Sequence, residues 1–132
     1  MKKNIKRLPD SELEIMKILW EAGSPMTSAE ISDHLKNEKD WKITSILTFL
    51  SRLSSKGFVS VERCGRMNIY SAKIEESDYL QQESKSIIKK LYGNSLTAFV
   101  SSLFDSRAIG EEDLDELRRY LNETVGGKKS DR

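Results

Sequence analysis

Along the first half of the chain, apolar residues recur at helical spacing in three short stretches and then switch to strict alternation. In "LPDSELEIMKILWEAGSP", Leu13, Met16, Leu19 and Trp20 share a helical face, with Ile15 beside them. Ser11 and Glu14 stand as a capping box, each able to satisfy an orphan amide of the first turn, and Gly23 with Pro25 stops the helix. "MTSAEISDHLKN" repeats the device: Thr27 and Glu30 form a second capping box, and Ala29, Ile31 and Leu35 supply a short apolar face. The single histidine, His34, falls on this helix and reads as a surface or packing residue rather than a ligand. In the third stretch Ile46, Phe49, Leu50 and Leu53 lie on one side, while Thr44, Thr48, Ser51, Arg52 and Ser55 point the other way, flanked by Ser45. Gly57 fits the left-handed position that ends a helix. "FVSVERC" and "MNIYSAK" then alternate around "CGR", a two-stranded hairpin. Three helices and a hairpin in this order predict a winged helix-turn-helix over residues 1–74.

The second half is helical throughout. Ser77 or Asp78 can cap a helix running to Tyr92 with Leu80, Ile87, Ile88 and Leu91 as its apolar positions. "GNS" at 93–95 breaks it, and a short helix carrying Leu96, Phe99, Val100, Leu103 and Phe104 follows. The last helix has Leu114, Leu117 and Leu121 on one side, acids in its first turn (Glu111, Glu112, Asp113) and Arg118 and Arg119 later, the sense a helix dipole favours. The fold class predicted is therefore mainly α: a winged helix-turn-helix, then a three-helix region over residues 75–123, then a disordered tail over 124–132 that includes "GGKKSDR".

Composition adds limits. The chain has 132 residues, 33% of them charged and 37% hydrophobic, which suits a modest core under a well-solvated surface. Net charge is only +1, but residues 1–73 carry 13 Lys and Arg against 9 Asp and Glu, whereas residues 74–132 carry 9 against 12. A basic front half and an acidic back half point to a polyanion partner for the front alone. With Cys64 as the one cysteine, no intrachain disulfide can form, and a reducing compartment is expected. The start "MKKNIKRLPDSELE", with its basic arm of Lys2, Lys3, Lys6 and Arg7, lacks the apolar run of a signal peptide. No stretch approaches the roughly 20 apolar residues that span a bilayer, so a soluble, cytoplasmic protein is expected.

A helix that enters a DNA major groove needs small side chains that match base edges, with cations around it to meet phosphates. Thr44, Ser45 and Thr48 suit the reading face, and Arg52 can reach guanine or a phosphate. Lys39 and Lys42 precede the helix, Lys56 follows it, and Arg63 and Arg66 lie on the hairpin, the wing. These nine residues form the expected DNA-binding set. Cys64 on the wing is read as a buried or inert strand residue rather than a redox-sensitive contact.

"SELEIMKILW" and "KDWKITSILTFLSRLSSKGFV", with Glu12, Glu14, Trp20, Asp40, Trp41, Thr48, Arg52, Lys56 and Gly57, closely resemble the penicillinase-repressor family of bacterial winged-helix regulators. "EESDYL" and "EEDLDELRRYL" resemble its C-terminal dimerisation region, and the likeness runs from about residue 8 to residue 123. The resemblance implies a homodimeric repressor of an inverted-repeat operator that controls β-lactam resistance genes. Leu80, Ile87, Ile88, Leu91, Phe99, Val100, Leu103, Leu114, Leu117 and Leu121 would then serve association. Some members are released when a membrane sensor-protease cuts the dimerisation region at an Asn-Phe bond. The matching position is Ser102-Leu103, a departure from that pattern. Relatives often carry basic residues where this chain has Thr44 and Leu47, a second departure that implies a different operator or more reliance on the wing. The family's copper-responsive branch carries paired Cys-x-Cys motifs, and none occurs in this chain.

Neither a metal nor a cofactor is expected, since one cysteine and one histidine cannot close a tetrahedral site within a chain. An enzyme is not expected either: no Ser/His/Asp set, glycine-rich phosphate loop or small-molecule substrate site can be read. Two alternatives stay open on the residues alone. One is a winged-helix protein-interaction module whose acidic helices dock a partner; the other is a repressor of the same fold that answers a different signal. Salt separates the DNA reading from the first, because neutralising about six phosphates gives a log–log slope near −5.

Overall fold

The computed structural model describes residues 5–125 except 24 and 37. Lys2 and Lys3 of the basic arm and residues 126–132 of the expected tail lie outside the described residues. Three helices, α1 (Asp10–Ala22), α2 (Ser28–Leu35) and α3 (Ile43–Ser55), precede an antiparallel hairpin, β1 (Val59–Cys64) and β2 (Met67–Ala72). Three more follow, α4 (Glu76–Tyr92), α5 (Leu96–Asp105) and α6 (Glu111–Tyr120), and a π-helical turn, Leu121–Val125, extends the last. Thr124 and Val125, expected in the tail, belong to that turn. This is the mainly helical winged architecture predicted. The chain divides into two compact units, one ending at Ser84 and the other beginning at Lys85, within α4.

The first unit is built around α3. Ile46, Leu50 and Leu53 are fully buried and meet Ile15 and Met16 of α1 and Ile31 of α2 in one core with Phe58. The stripe on α1 runs through Glu12, Ile15, Met16 and Leu19, so Leu13 is only partly covered and Ala29 on α2 is exposed. The first expected cap does not form. Pro9 occupies the N-cap with no side-chain bond, and the helix begins at Asp10, which leaves Ser11 inside the first turn. Proline fits there because its missing amide leaves nothing unsatisfied at a helix start. The second cap forms as expected: Thr27 Oγ1 accepts the Glu30 amide at 3.2 Å, and Glu30 Oε1 accepts the Thr27 amide at 2.9 Å.

A tight exit ends α3. The Phe58 amide donates to Leu53 O and the Gly57 amide to Ser54 O, with Gly57 at φ 84°, and the buried Leu53 and Phe58 complete the paired-bond exit motif. Only a residue free to adopt positive φ makes this turn cheaply. It feeds directly into β1. In the hairpin, Val59 pairs with Ala72 and Cys64 with Met67, and Tyr70 also exchanges backbone bonds with Met26, which adds a single bridge on the far edge of β2.

The start of α4 is anchored to the first unit by Tyr79. Its ring packs against Trp20 and Phe58, and its hydroxyl accepts the Leu8 amide at 3.0 Å. The helix starts at Glu76, so Ser77 and Asp78 fall within its first turn instead of capping it. Burial pushes the Tyr79 phenol above its ordinary value of 10.0; Glu83 adds to the shift, while the Leu8 amide and Arg7 oppose it. A raised folded pKa means the unfolded chain gives up this proton first, so this contribution to stability is complete below about pH 10 and is lost as pH climbs through the folded value. In an alkaline absorbance titration, Tyr79 should contribute a late step, above the ordinary tyrosine range. Tyr79→Phe should remove that late step; a late step that persists in the variant would assign it elsewhere.

The second unit has a different character. Ser95 caps α5 by accepting the Ala98 amide, and the Asp113 carboxylate accepts the Gly110 amide at the head of α6. Tyr92 packs against Phe99 with tilted rings and centroids 5.3 Å apart. Yet no described residue from Lys85 onward is buried. Leu91, Leu96, Phe104, Leu117, Leu121 and Val125 are all exposed. The described residues of this unit make no core of their own.

Candidate nucleic-acid interface

Burial of Ile46, Leu50 and Leu53 fixes which side of α3 faces outward. With 3.6 residues per turn, the exposed face runs from Ile43 and Leu47 through Ser51, Thr44 and Thr48 to Arg52. Ser45 sits at its margin, partly covered. Trp41 just before the helix packs edge-on against Phe49 with centroids 5.3 Å apart, which orients the entry and leaves Lys42 at the N-cap. No side chain caps this end of α3, and no acid lies in its first turn.

Lys39, Lys42, Arg52 and Arg66 are exposed, and none of them forms an ion pair among the described residues. Cations without local partners are the ones that can bind phosphate without first breaking a bond. Arg63 is partly committed, since its Nε donates to Gly65 O at 3.2 Å and folds the side chain over the hairpin turn. Cys64 is exposed, contrary to a buried strand position, because it ends β1 beside the turn, beyond the part of the hairpin that covers the core.

Lys56 has a partner inside the fold. Expected at a phosphate, its Nζ instead donates to Glu12 Oε1 at 2.5 Å, and the Glu12 side chain is 2% exposed. The exit turn after α3 directs Lys56 inward onto α1. A carboxylate taken out of water needs a compensating charge, so the Lys56 ammonium is tied to the fold, unlike the unpaired cations around it. In the sequence Glu12 stands at helical spacing with Ile15, Met16 and Leu19, but its charge alone gives no sign of burial.

The residues expected to serve association lie mainly in the second unit; of these, Leu80 belongs to the first unit and is exposed. Ile87, Ile88, Phe99, Val100, Leu103 and Leu114 are half-buried, and Leu91, Leu117 and Leu121 are exposed. The Ser102-Leu103 bond lies inside α5. Ser102 O accepts the Ser106 amide, and Leu103 O accepts both Ser106 Oγ and the Ala108 amide. A protease, which binds its substrate extended, reaches this bond only after the end of α5 unwinds. Among the described residues, no group of three His, Cys, Asp or Glu can hold a metal ion, and no helix is long and apolar enough to cross a membrane.

A family model described as penicillinase repressor matches residues 8–123. The chain is 32% identical over 127 residues to the penicillinase repressor of Bacillus licheniformis, which covers 96% of this chain and 98% of that one. It is 28% identical over 115 residues to the methicillin resistance regulatory protein MecI of Staphylococcus aureus (strain N315), 87% of this chain and 93% of that one. A solution structure of the DNA binding domain of the repressor BlaI is similar with a TM-score of 0.51 at 38% identity, over 60% of this chain and 94% of that one.

Proposed function

The chain belongs to the penicillinase-repressor family, and from that premise we propose that it acts as a homodimer that places one α3 in each half of an inverted-repeat operator and so represses β-lactam resistance genes. The family is one of DNA-binding repressors, not enzymes. The observation that carries the reading is the outward face of α3, hydroxyl-rich and set among Lys39, Lys42, Arg52 and Arg66 with no ion-pair partner among the described residues. Thr44, Ser45 and Thr48 meet base edges, and the free cations with Arg63 meet phosphates and fix register. The wing brings Arg66 to the neighbouring backbone.

Association runs through the second unit, whose apolar residues find no core within one chain. Two linked modules bind an operator more tightly than one because the second half-site is engaged intramolecularly. The half-sites should lie one or two helical turns apart, on the order of 10 to 20 base pairs. Repression ends when this unit is disrupted, and cutting at Ser102-Leu103 by a membrane sensor-protease is one route that the unwinding of α5 would open.

The test is selection of bound duplexes from a random pool, followed by footprinting and a salt series. Two protected half-sites related by a dyad are expected. Lys39, Lys42, Arg52, Arg66 and Arg63, five cations around each α3, should give a log–log salt slope of about −4 to −5 per half-site. Failure to recover any duplex at low ionic strength, or a slope near zero, would overturn the reading in favour of a protein-docking module.

A further inference from the structure

The exposed face of α3 is not uniformly polar. Ile43 and Leu47, one turn apart, are 43% and 42% exposed at the edge opposite Arg52. Single exposed apolar side chains are ordinary. A pair on the face that, on the repressor reading, enters a groove is different, since a phosphate or a base nitrogen gains nothing from an aliphatic neighbour. The major groove offers one aliphatic group, the C5-methyl of thymine.

Thr48 narrows the match further. Its Oγ1 lies 3.0 Å from Thr44 O, and a carbonyl oxygen can only accept, so the hydroxyl proton is committed to the backbone. What remains outward is a methyl group and lone pairs. Those lone pairs can accept from adenine N6 or cytosine N4, and they offer nothing to the acceptors O6 and N7 of guanine. The apolar edge therefore favours A·T pairs with the thymine methyl facing the helix, and the spent hydroxyl, with its own methyl outward, is compatible with them.

We infer that this chain chooses its half-sites by thymine 5-methyl groups, with Leu47 and Ile43 as the specificity-determining contacts. The inference rests on the repressor reading and adds the chemistry by which α3 discriminates. Arg52 at the other edge supplies orientation, so the two edges divide the work between methyl contact and charge.

The experiment compares the full-length protein on the duplex recovered by selection and on copies in which each thymine in turn is replaced by deoxyuridine. That change deletes a methyl from the major groove and leaves the minor groove, the phosphates and the base pairing as they were. Affinity should fall about fourfold at each contacted thymine, the worth of one buried methyl-sized group. Leu47→Ala or Ile43→Ala, both at exposed positions, should keep the helical circular dichroism and bind the thymine and uracil copies equally at the position each residue reads. Equal binding of the two copies by the unaltered protein, or a preference that survives in both variants, overturns the inference and leaves the repressor reading standing. Recovery of no duplex at all overturns both.

Discussion

Replacing Leu117 with Asp is expected to turn a dimer into monomers and to weaken binding to a two-half-site operator by about 10²- to 10⁴-fold, the range by which avidity exceeds single-site affinity. Leu117 lies at the middle of α6, with Leu114 and Leu121 one turn to either side, and it is exposed in the single chain. In a symmetric interface a substitution acts twice, so two carboxylates would be driven into apolar contact. Burying an unpaired charge costs far more than one leucine contributes, which favours dissociation over tolerance. The first unit contains no part of α6, so binding to a single half-site should be retained. Sedimentation gives the mass, and mobility shifts on one-site and two-site duplexes give the affinities. An intact dimer, or equal loss on both duplexes, would remove α6 from the interface.

Other elements of the chain are plain in the sequence. The stripe on α3, the capping box at Thr27 and Glu30 and the turn at Gly65 are local patterns, each decided by residues within a few positions of one another. The outward residues of α3 follow from the inward ones, so that face of the helix is legible in the sequence itself. What could not be read depends on distance along the chain. Tyr79 is buried because its hydroxyl meets the Leu8 amide, 71 residues away, and its ring fills the space between Trp20 and Phe58. Beside Leu80 in a helix start, it offered the weaker apolar signal, and Leu80 proves to be the exposed one. The Met26–Tyr70 bridge leaves no local signal either, since one pair of backbone bonds needs no side-chain pattern. The ion pair of Lys56 is hidden for the same reason: its partner Glu12 lies 44 positions earlier. Charged residues read as surface until a partner is found, and periodicity in apolar residues cannot find one.

Lys56→Ala tests that ion pair, and its largest effect should be on folding. The variant leaves Glu12 buried and uncompensated. Breaking a fully buried pair destabilises by about 3 to 5 kcal/mol, and the partial exposure of Lys56 places this case near the lower end. Denaturant unfolding followed by tryptophan fluorescence should therefore show a lower midpoint with an unchanged slope. The double variant Glu12→Leu, Lys56→Met should recover most of the loss, because an apolar pair of similar volume removes the stranded charge. A phosphate contact behaves in the opposite way. It would leave the midpoint alone, weaken every duplex alike, and gain nothing from the second substitution. If Lys56→Ala unfolds like the unaltered protein and loses affinity uniformly, the Glu12 bond does not hold in solution and Lys56 returns to the DNA-binding set. If stability falls and the double variant restores it, the end of α3 is fixed from behind by α1, and the free cations in front are left to the operator.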